Sequence, residues 1–423
     1  MRLAISLGAL SGANLVLLFF FQWYVLITLG PGTETDSLFA GMAVPQLVLA
    51  VVSGSLMHVL VPFLAGENEE RLRGDAWGIF LVVGAVFGLL SLVLCLSASL
   101  WVPLLVPGFS PAGKLLTVRL TRIQLLGVLF TGLTGVLWAV YHARRRFLWA
   151  EFSPLFGNVI GLGCLFWALP RYGITAAAWA MVLRSFLQLS FLFPGLNGYR
   201  RPEWKSPSLG EVWRRIKPLL LGSSFYKTDL LVDRFLSSMA PSGGLSLLYL
   251  AQQVYNAANQ IINKAIAAPM VPLLAEQAKS RSWDRFRDVY RKRLFWIAAL
   301  TISSYAFILV AGKPLLRVLI GHGGVTESNV TQLWAILICL GGVYIGGAIG
   351  QILSSSFYAM PDTVTPTKIG ATGFTVGIAL KISGFFLFGL LGIAIGASLH
   401  YLLTAAALYF FLEKRRRNPE ASD

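Results

Sequence analysis

Twelve stretches of this chain are each apolar over about the 20 residues that an α-helix needs to cross a bilayer. They fall near 8–29, 38–65, 77–106, 115–142, 148–170, 174–196, 218–240, 244–275, 294–319, 330–357, 366–389 and 391–412, numbered here as spans 1 to 12. In hydrocarbon every backbone N–H and C=O must be satisfied within the protein, so apolar runs of this length fold as helices. The chain is therefore expected to be all-α, a polytopic helical membrane bundle of about 12 transmembrane helices. Composition supports this: 56% of the 423 residues are hydrophobic and 13% are charged, about half the usual charged share of soluble domains. The run that follows Met1-Arg2 is longer than a signal-peptide apolar region and lacks an Ala-x-Ala-like site before Gly30, so it reads as a retained first span.

The charge is lopsided, with 35 Lys+Arg against 19 Asp+Glu and a formal net charge of +16. The basic residues collect in alternate connections: Arg71 and Arg73, Arg144–Arg146, the stretch 197–217, Lys279 to Arg293, Lys368, and the tail Lys414–Arg417. The other connections, Gly30–Asp36, Pro107–Lys114, Arg171–Gly173, Pro241–Gly244, Gly321–Asn329 and the turn near Gly389, carry few Lys or Arg. This is the asymmetry of loops retained on the cytoplasmic side, and it places both termini there. The basic clusters then serve to contact anionic phospholipids and to set topology, and no nucleic-acid partner is expected. Cys95, Cys164 and Cys339 lie singly in apolar runs and read as small buried hydrophobes. No metal or cofactor motif is present.

The chain also repeats itself at an offset of about 210 residues. Val61-Pro62-Phe63-Leu64-Ala65 returns as Val271-Pro272-Leu273-Leu274-Ala275, Pro103-Leu104-Leu105 as Pro314-Leu315-Leu316, and the Gly173-Ile174 start of span 6 as Gly392-Ile393 in span 12. The common order points to two six-helix lobes, 1–196 and 218–412, joined by a basic cytoplasmic linker at 197–217 and followed by a basic tail at 413–423. An even helix count makes them parallel repeats, which place a substrate site between lobes near the midplane.

Ionisable side chains inside a bilayer are costly and face a cavity or a partner. Span 7 holds Lys227, Asp229, Asp233 and Arg234; on one continuous helix Lys227 and Arg234 share a basic stripe, and Asp229 and Asp233 an acidic one. Two readings stand: ion pairs that hold helices together, or a cavity wall that meets an anionic headgroup. Four charges on one span exceed what packing requires, which favours the wall. In span 8, Asn256, Asn259, Gln260, Asn263 and Lys264 follow i, i+3, i+4, i+7, i+8 spacing and fall on one face. Amides both donate and accept, which suits sugar hydroxyls; interhelical hydrogen bonding is the other reading. Arg119 and Arg122, near the outer end of span 4, read as an anion contact or as snorkelling side chains. Arg184 and Lys381 sit deep and single, and read as structural or paired. His400 reads as a core histidine.

Nucleotide-binding, zinc-protease, serine-hydrolase and paired-acid metal motifs are absent, so a transporter is expected rather than an enzyme. Several motifs resemble the MurJ/MviN lipid II flippases of the multidrug/oligosaccharidyl-lipid/polysaccharide exporter superfamily. They are Thr35-Asp36-Ser37-Leu38-Phe39 leading to Val44-Pro45, Val61-Pro62, Pro107-Gly108-Phe109, and Gly135-Val136-Leu137 through Arg146-Phe147 to Ser153-Pro154 and Asn158. Two more follow, Asp233-Arg234-Phe235-Leu236-Ser237-Ser238 and Phe357-Tyr358-Ala359-Met360-Pro361-Asp362-Thr363-Val364-Thr365-Pro366. The resemblance implies a bacterial inner-membrane flippase that carries a polyprenyl-pyrophosphate-linked saccharide to the outer leaflet by alternating access, with polysaccharide or cell-wall synthases as partners. It implies that Lys227, Arg234, Lys264 and the span 8 amides hold the substrate. It also implies that Asp36 and Asp233, with Asp229, are the gating or ion-coupling carboxylates.

The pattern departs from the family at three places. Phe21 and Gln22 stand where members usually carry an Arg-Asp pair, Leu49 and Ala50 stand near the usual arginines of helix 2, and twelve spans are read where members typically have fourteen. These departures widen the expected cargo to an exopolysaccharide or O-antigen-type precursor. Three alternatives stay open: an organic-cation antiporter of the same superfamily, which wants an acidic cavity; a membrane enzyme on polyprenyl-linked sugars; and a transport-dead scaffold of a synthesis complex.

Overall fold

The computed structural model describes residues 2–65, 69–196, 210, 227–360 and 362–417, and among them there is helix and no strand. The helices are α1 (Arg2–Leu29), α2 (Thr33–Gly41), α3 (Ala43–Leu64), α4 (Glu69–Leu105), α5 (Pro111–Ala143), α6 (Phe147–Tyr172), α7 (Ile174–Leu192), α8 (Asp229–Ser238), α9 (Gly244–Ile262), α10 (Ala268–Lys279), α11 (Trp283–Ile320), α12 (Glu327–Cys339), α13 (Gly341–Ala359), α14 (Val364–Phe388) and α15 (Leu390–Arg417). The chain is a polytopic helical membrane bundle. Its large apolar side chains face outward, with Val310 85% and Phe386 77% exposed, while Asp36, Arg234 and Lys381 are almost fully buried. That inversion is stable only where hydrocarbon surrounds the bundle.

Nine stretches among the described residues are long and apolar enough to cross a membrane. Spans 2, 7 and 8 of the twelve predicted are not among those nine. Span 2 is two helices, α2 and α3, broken at Met42; Pro45 has no N–H to return to the carbonyl of Gly41. Span 8 is α9 and α10 separated by a π turn, Asn263–Ala267, just ahead of Pro269. Span 7 is α8 in its described part, and residues 218–226 lie outside the described residues.

Packing divides the chain into two units, Met1–Leu245 and Ser246–Asp423, so α8 groups with the first. It contacts α2, α3 and α4. The first unit's core is apolar, built from Leu60 and Leu64 of α3, Ile79 and Phe87 of α4, Val136 and Val140 of α5, and Leu192 of α7. A Cβ at Gly132 would lie 2.6 Å from the Phe87 ring, so the missing side chain makes room for it. Of the cysteines read as buried, Cys164 is exposed and the other two are intermediate. Cys164 falls on the lipid-facing side of α6, where a thiol needs no burial to be apolar.

In the second unit, α14 and α15 form a hairpin through Gly389, which takes φ +60. They approach closely at Gly384, Gly392 and Gly396; a Cβ at Gly396 would sit 2.6 Å from the Leu380 carbonyl oxygen. Small residues at such crossings allow helix contact in membranes. The break between α12 and α13 leaves carbonyls without helical partners, as every helix end does. Tyr255 donates to the Leu337 carbonyl at 2.9 Å, Tyr305 to the Ile338 carbonyl at 2.9 Å, and Ser398 to the Cys339 carbonyl. Tyr255 also stacks on Tyr344 at 5.0 Å. Tyr305→Phe is therefore expected to cost about 1–3 kcal/mol, the penalty for a buried acceptor left unpaired. A thermal-shift assay on the purified protein measures it, and an unchanged melting temperature would show that the break does not depend on this bond.

Candidate functional site

The site begins at the turn between α1 and α2. Gly30 takes φ +76, and the Thr35 hydroxyl accepts from the Gly32 N–H at 2.9 Å to start α2. This fixes Asp36 one residue later, 2% exposed, where its carboxylate accepts from the backbone N–H of Gly243 at 2.6 Å. Beside it the hydroxyls of Thr33 and Ser242 are 3.1 Å apart. Gly243 takes φ +90, and a Cβ there would lie 2.9 Å from the Pro31 carbonyl oxygen, so position 243 admits glycine on two counts. The Pro107-Gly108-Phe109 turn reaches the end of α8, where Gly108 N–H donates to the Ser238 hydroxyl at 3.5 Å. Three of the connections poor in basic residues thus converge around residues 238–243.

About one turn before Ser238 on α8, Asp233 and Arg234 are 5% and 1% exposed. Asp229 is half-buried, and Lys227 is exposed ahead of the helix. Burial therefore separates Arg234 from Lys227, so the predicted basic stripe is not one evenly placed surface. A buried arginine beside a buried aspartate on adjacent positions is an arrangement that membrane helices keep for paired or cavity-facing groups.

The predicted face of span 8 divides as well. Asn256, Gln260 and Lys264 are exposed, whereas Asn259 and Asn263 are half-buried. Asn259 donates to the Val343 carbonyl of α13 at 3.4 Å, which is interhelical bonding. Asn263 opens the π turn, whose wider winding rotates the residues after it out of α-helical phase. Arg119 and Arg122 are exposed on α5, and Arg122 donates through Nε to the Cys95 carbonyl of α4 at 3.1 Å. Lys381 is 1% exposed within α14, and Arg184 is half-buried against Gly157 and Gly161 of α6.

A polar ladder on α5 was missed by reading single charges. Thr117, Thr121 and Gln124 are buried; Gln124 donates to the Leu38 carbonyl at 3.1 Å. A Cβ on Gly41 would stand 2.8 Å from the Thr121 hydroxyl. The signal was present as i, i+4, i+7 polar spacing within an apolar run. The ladder holds α2 against α5 and so carries Asp36.

The family model described as lipid II flippase MurJ matches residues 26–422. A probable lipid II flippase MurJ of Vibrio cholerae is 25% identical over 410 residues, 90% of this chain and 77% of that protein. A Rhizobium tropici protein of the same description is 23% identical over 97% of this chain and 80% of its own length. Among solved structures, lipid II flippase MurJ in an inward closed conformation aligns with a TM-score of 0.84 at 18% identity, covering 97% of this chain and 87% of that one. An inward-facing multidrug-resistance transporter of the MATE family aligns at 0.83 and 12% identity over 99% of this chain and 100% of that one. At these identities the structural likenesses concern the fold alone. The family-model match spans nearly the whole sequence, and with it the chain belongs to the lipid II flippase MurJ family.

Proposed function

We propose that this protein moves a polyprenyl-pyrophosphate-linked saccharide, lipid II in the first instance, from the inner to the outer leaflet of the bacterial inner membrane. The observation that carries the proposal is the family match over residues 26–422. The two lobes alternate in giving the cargo access to either leaflet, and both termini are cytoplasmic. The Asp36–Gly243 bond and the Thr33–Ser242 contact form the outer closure. Arg234 supplies positive charge for the pyrophosphate, and the exposed Asn256, Gln260 and Lys264 supply amide and ammonium groups for the saccharide. Asp229 and Asp233 bias the equilibrium between open and closed forms. The cargo is handed to polysaccharide or cell-wall synthases.

One observation supports a second cargo, an exopolysaccharide or O-antigen-type precursor. Phe21 and Gln22 are 5% and 9% exposed, so the departure from the Arg-Asp pair of the resemblance lies in the protein interior. Rescue of a strain depleted of its lipid II flippase separates the two. Growth restored by the wild-type chain is the expected result. A well-expressed, membrane-inserted chain that fails to rescue overturns lipid II as the cargo and transfers the assignment to the second precursor class.

A further inference from the structure

The α14–α15 hairpin carries a groove of about 450 Å³ on its outer face. Val376, Leu403 and Phe411 give it apolar walls, and Lys368 stands at one end. The groove owes its depth to glycine: a Cβ at Gly377 would lie 2.5 Å from His400 Nδ1, and one at Gly373 2.5 Å from Thr404 Oγ1. With hydrogen at both positions, α14 presents bare backbone to His400 and Thr404. Thr404 Oγ1 and His400 Nδ1 are buried in that wall with no hydrogen-bond partner among the described residues.

The hairpin geometry fixes the groove's depth in the membrane. Lys368 and Phe411 lie twenty-one residues before and twenty-two after the Gly389 turn, so they share the end opposite the turn. Lys414, exposed, follows Phe411 by one turn on that end. From Phe411 to His400 the groove runs about 16 Å at 1.5 Å per residue. That is about one leaflet, half of a ~30 Å hydrocarbon core. A lipid-facing groove that is one leaflet long, apolar along Val376, Leu403 and Phe411 and cationic at its headgroup end fits a phospholipid with an anionic headgroup, whose acyl chain also ends near the midplane. Lys368 is exposed, which leaves its ammonium available to a phosphate.

We infer that the groove between α14 and α15 is a binding site for an anionic bilayer phospholipid, with its phosphate at Lys368 and one acyl chain along Val376, Leu403 and Phe411. The site is separate from the residues assigned to cargo and closure, so it stands or falls independently of the transport reading.

The test uses the full chain in vesicles containing phosphatidylglycerol with a photoactivatable group mid-chain. Adducts are expected to concentrate on peptides spanning 369–376 and 403–411. Lys368→Gln is expected to lower their yield about fivefold, the equivalent of ~1 kcal/mol per basic residue near an anionic lipid. Ala407→Trp, which fills the groove from a half-buried position, is expected to remove the adducts while leaving the melting temperature unchanged. The same photolipid with a choline headgroup should label these peptides no better than Lys368→Gln does with phosphatidylglycerol. Adducts spread evenly over lipid-facing helices, or equal labelling by both headgroups, would overturn the assignment. Displacement of the probe by undecaprenyl phosphate but not by excess phosphatidylglycerol would overturn it too, giving the groove to a polyprenyl chain.

Discussion

Arg234→Glu is expected to abolish rescue of a strain depleted of its lipid II flippase. Arg234 is 1% exposed, and its neighbour Asp233 is 5% exposed on the same helix. Reversal removes the cation proposed to meet the pyrophosphate and sets two buried acids side by side. Breaking a buried charge arrangement by removing one partner costs on the order of 3–5 kcal/mol, so the variant risks misfolding as well as losing transport. Arg234→Gln separates the two effects, because it removes the charge without adding a second acid. It is expected to insert and to elute as a single species, yet to rescue growth at no more than about a tenth of the wild-type level, a loss equivalent to ~1.4 kcal/mol. Full rescue by Arg234→Gln would show that this cation takes no part in transport.

The second large effect is expected at the outer closure. The Thr33 and Ser242 hydroxyl oxygens are 3.1 Å apart, so sulfurs in their places need only a small shift to bond. In a background with Cys95, Cys164 and Cys339 replaced by alanine, Thr33→Cys with Ser242→Cys is expected to cross-link under mild oxidation and to lose rescue. Reductant should restore it, because the proposed alternation of the lobes requires this contact to open. Asp36→Asn is expected to slow the cross-link. Asp36 accepts from the Gly243 N–H at 2.6 Å, a charge-assisted bond of about 1.5–3 kcal/mol, and the amide retains only part of it. A cross-linked protein that still rescues would mean that the contact is permanent and the path lies elsewhere. An unchanged cross-linking rate in Asp36→Asn would mean that the carboxylate is not the latch.

Hydropathy sufficed for the long apolar spans because hydrocarbon leaves the backbone one economical solution, and each run declares it locally. It overran at Pro45 and Pro269. There the apolar run continues, but a proline without an N–H stands just past each interruption of the rod. The individual charged residues were legible for the same reason: an ionisable group within a span stands out against its neighbours. Their grouping was not. Helical phase put Lys227 with Arg234 and aligned five polar residues of span 8, whereas burial separates the first pair and the π turn with the Asn259–Val343 bond divides the second set.

What the amino-acid order determined by itself is the class of the protein: an all-helical membrane chain, its family, and Asp36, Asp233 and Arg234 as residues of interest. These follow from composition, period and motif, which are local properties. Only the tertiary structure decided that Asp36 closes on a backbone N–H 207 positions away. It also decided that Tyr255, Tyr305 and Ser398 satisfy the broken end of α12, and that glycines of α14 open a groove beside His400. Each of these depends on a backbone group or an absent side chain meeting a distant segment. Backbone groups are the same at every position, so no pattern of side chains along the chain can announce which of them will be met.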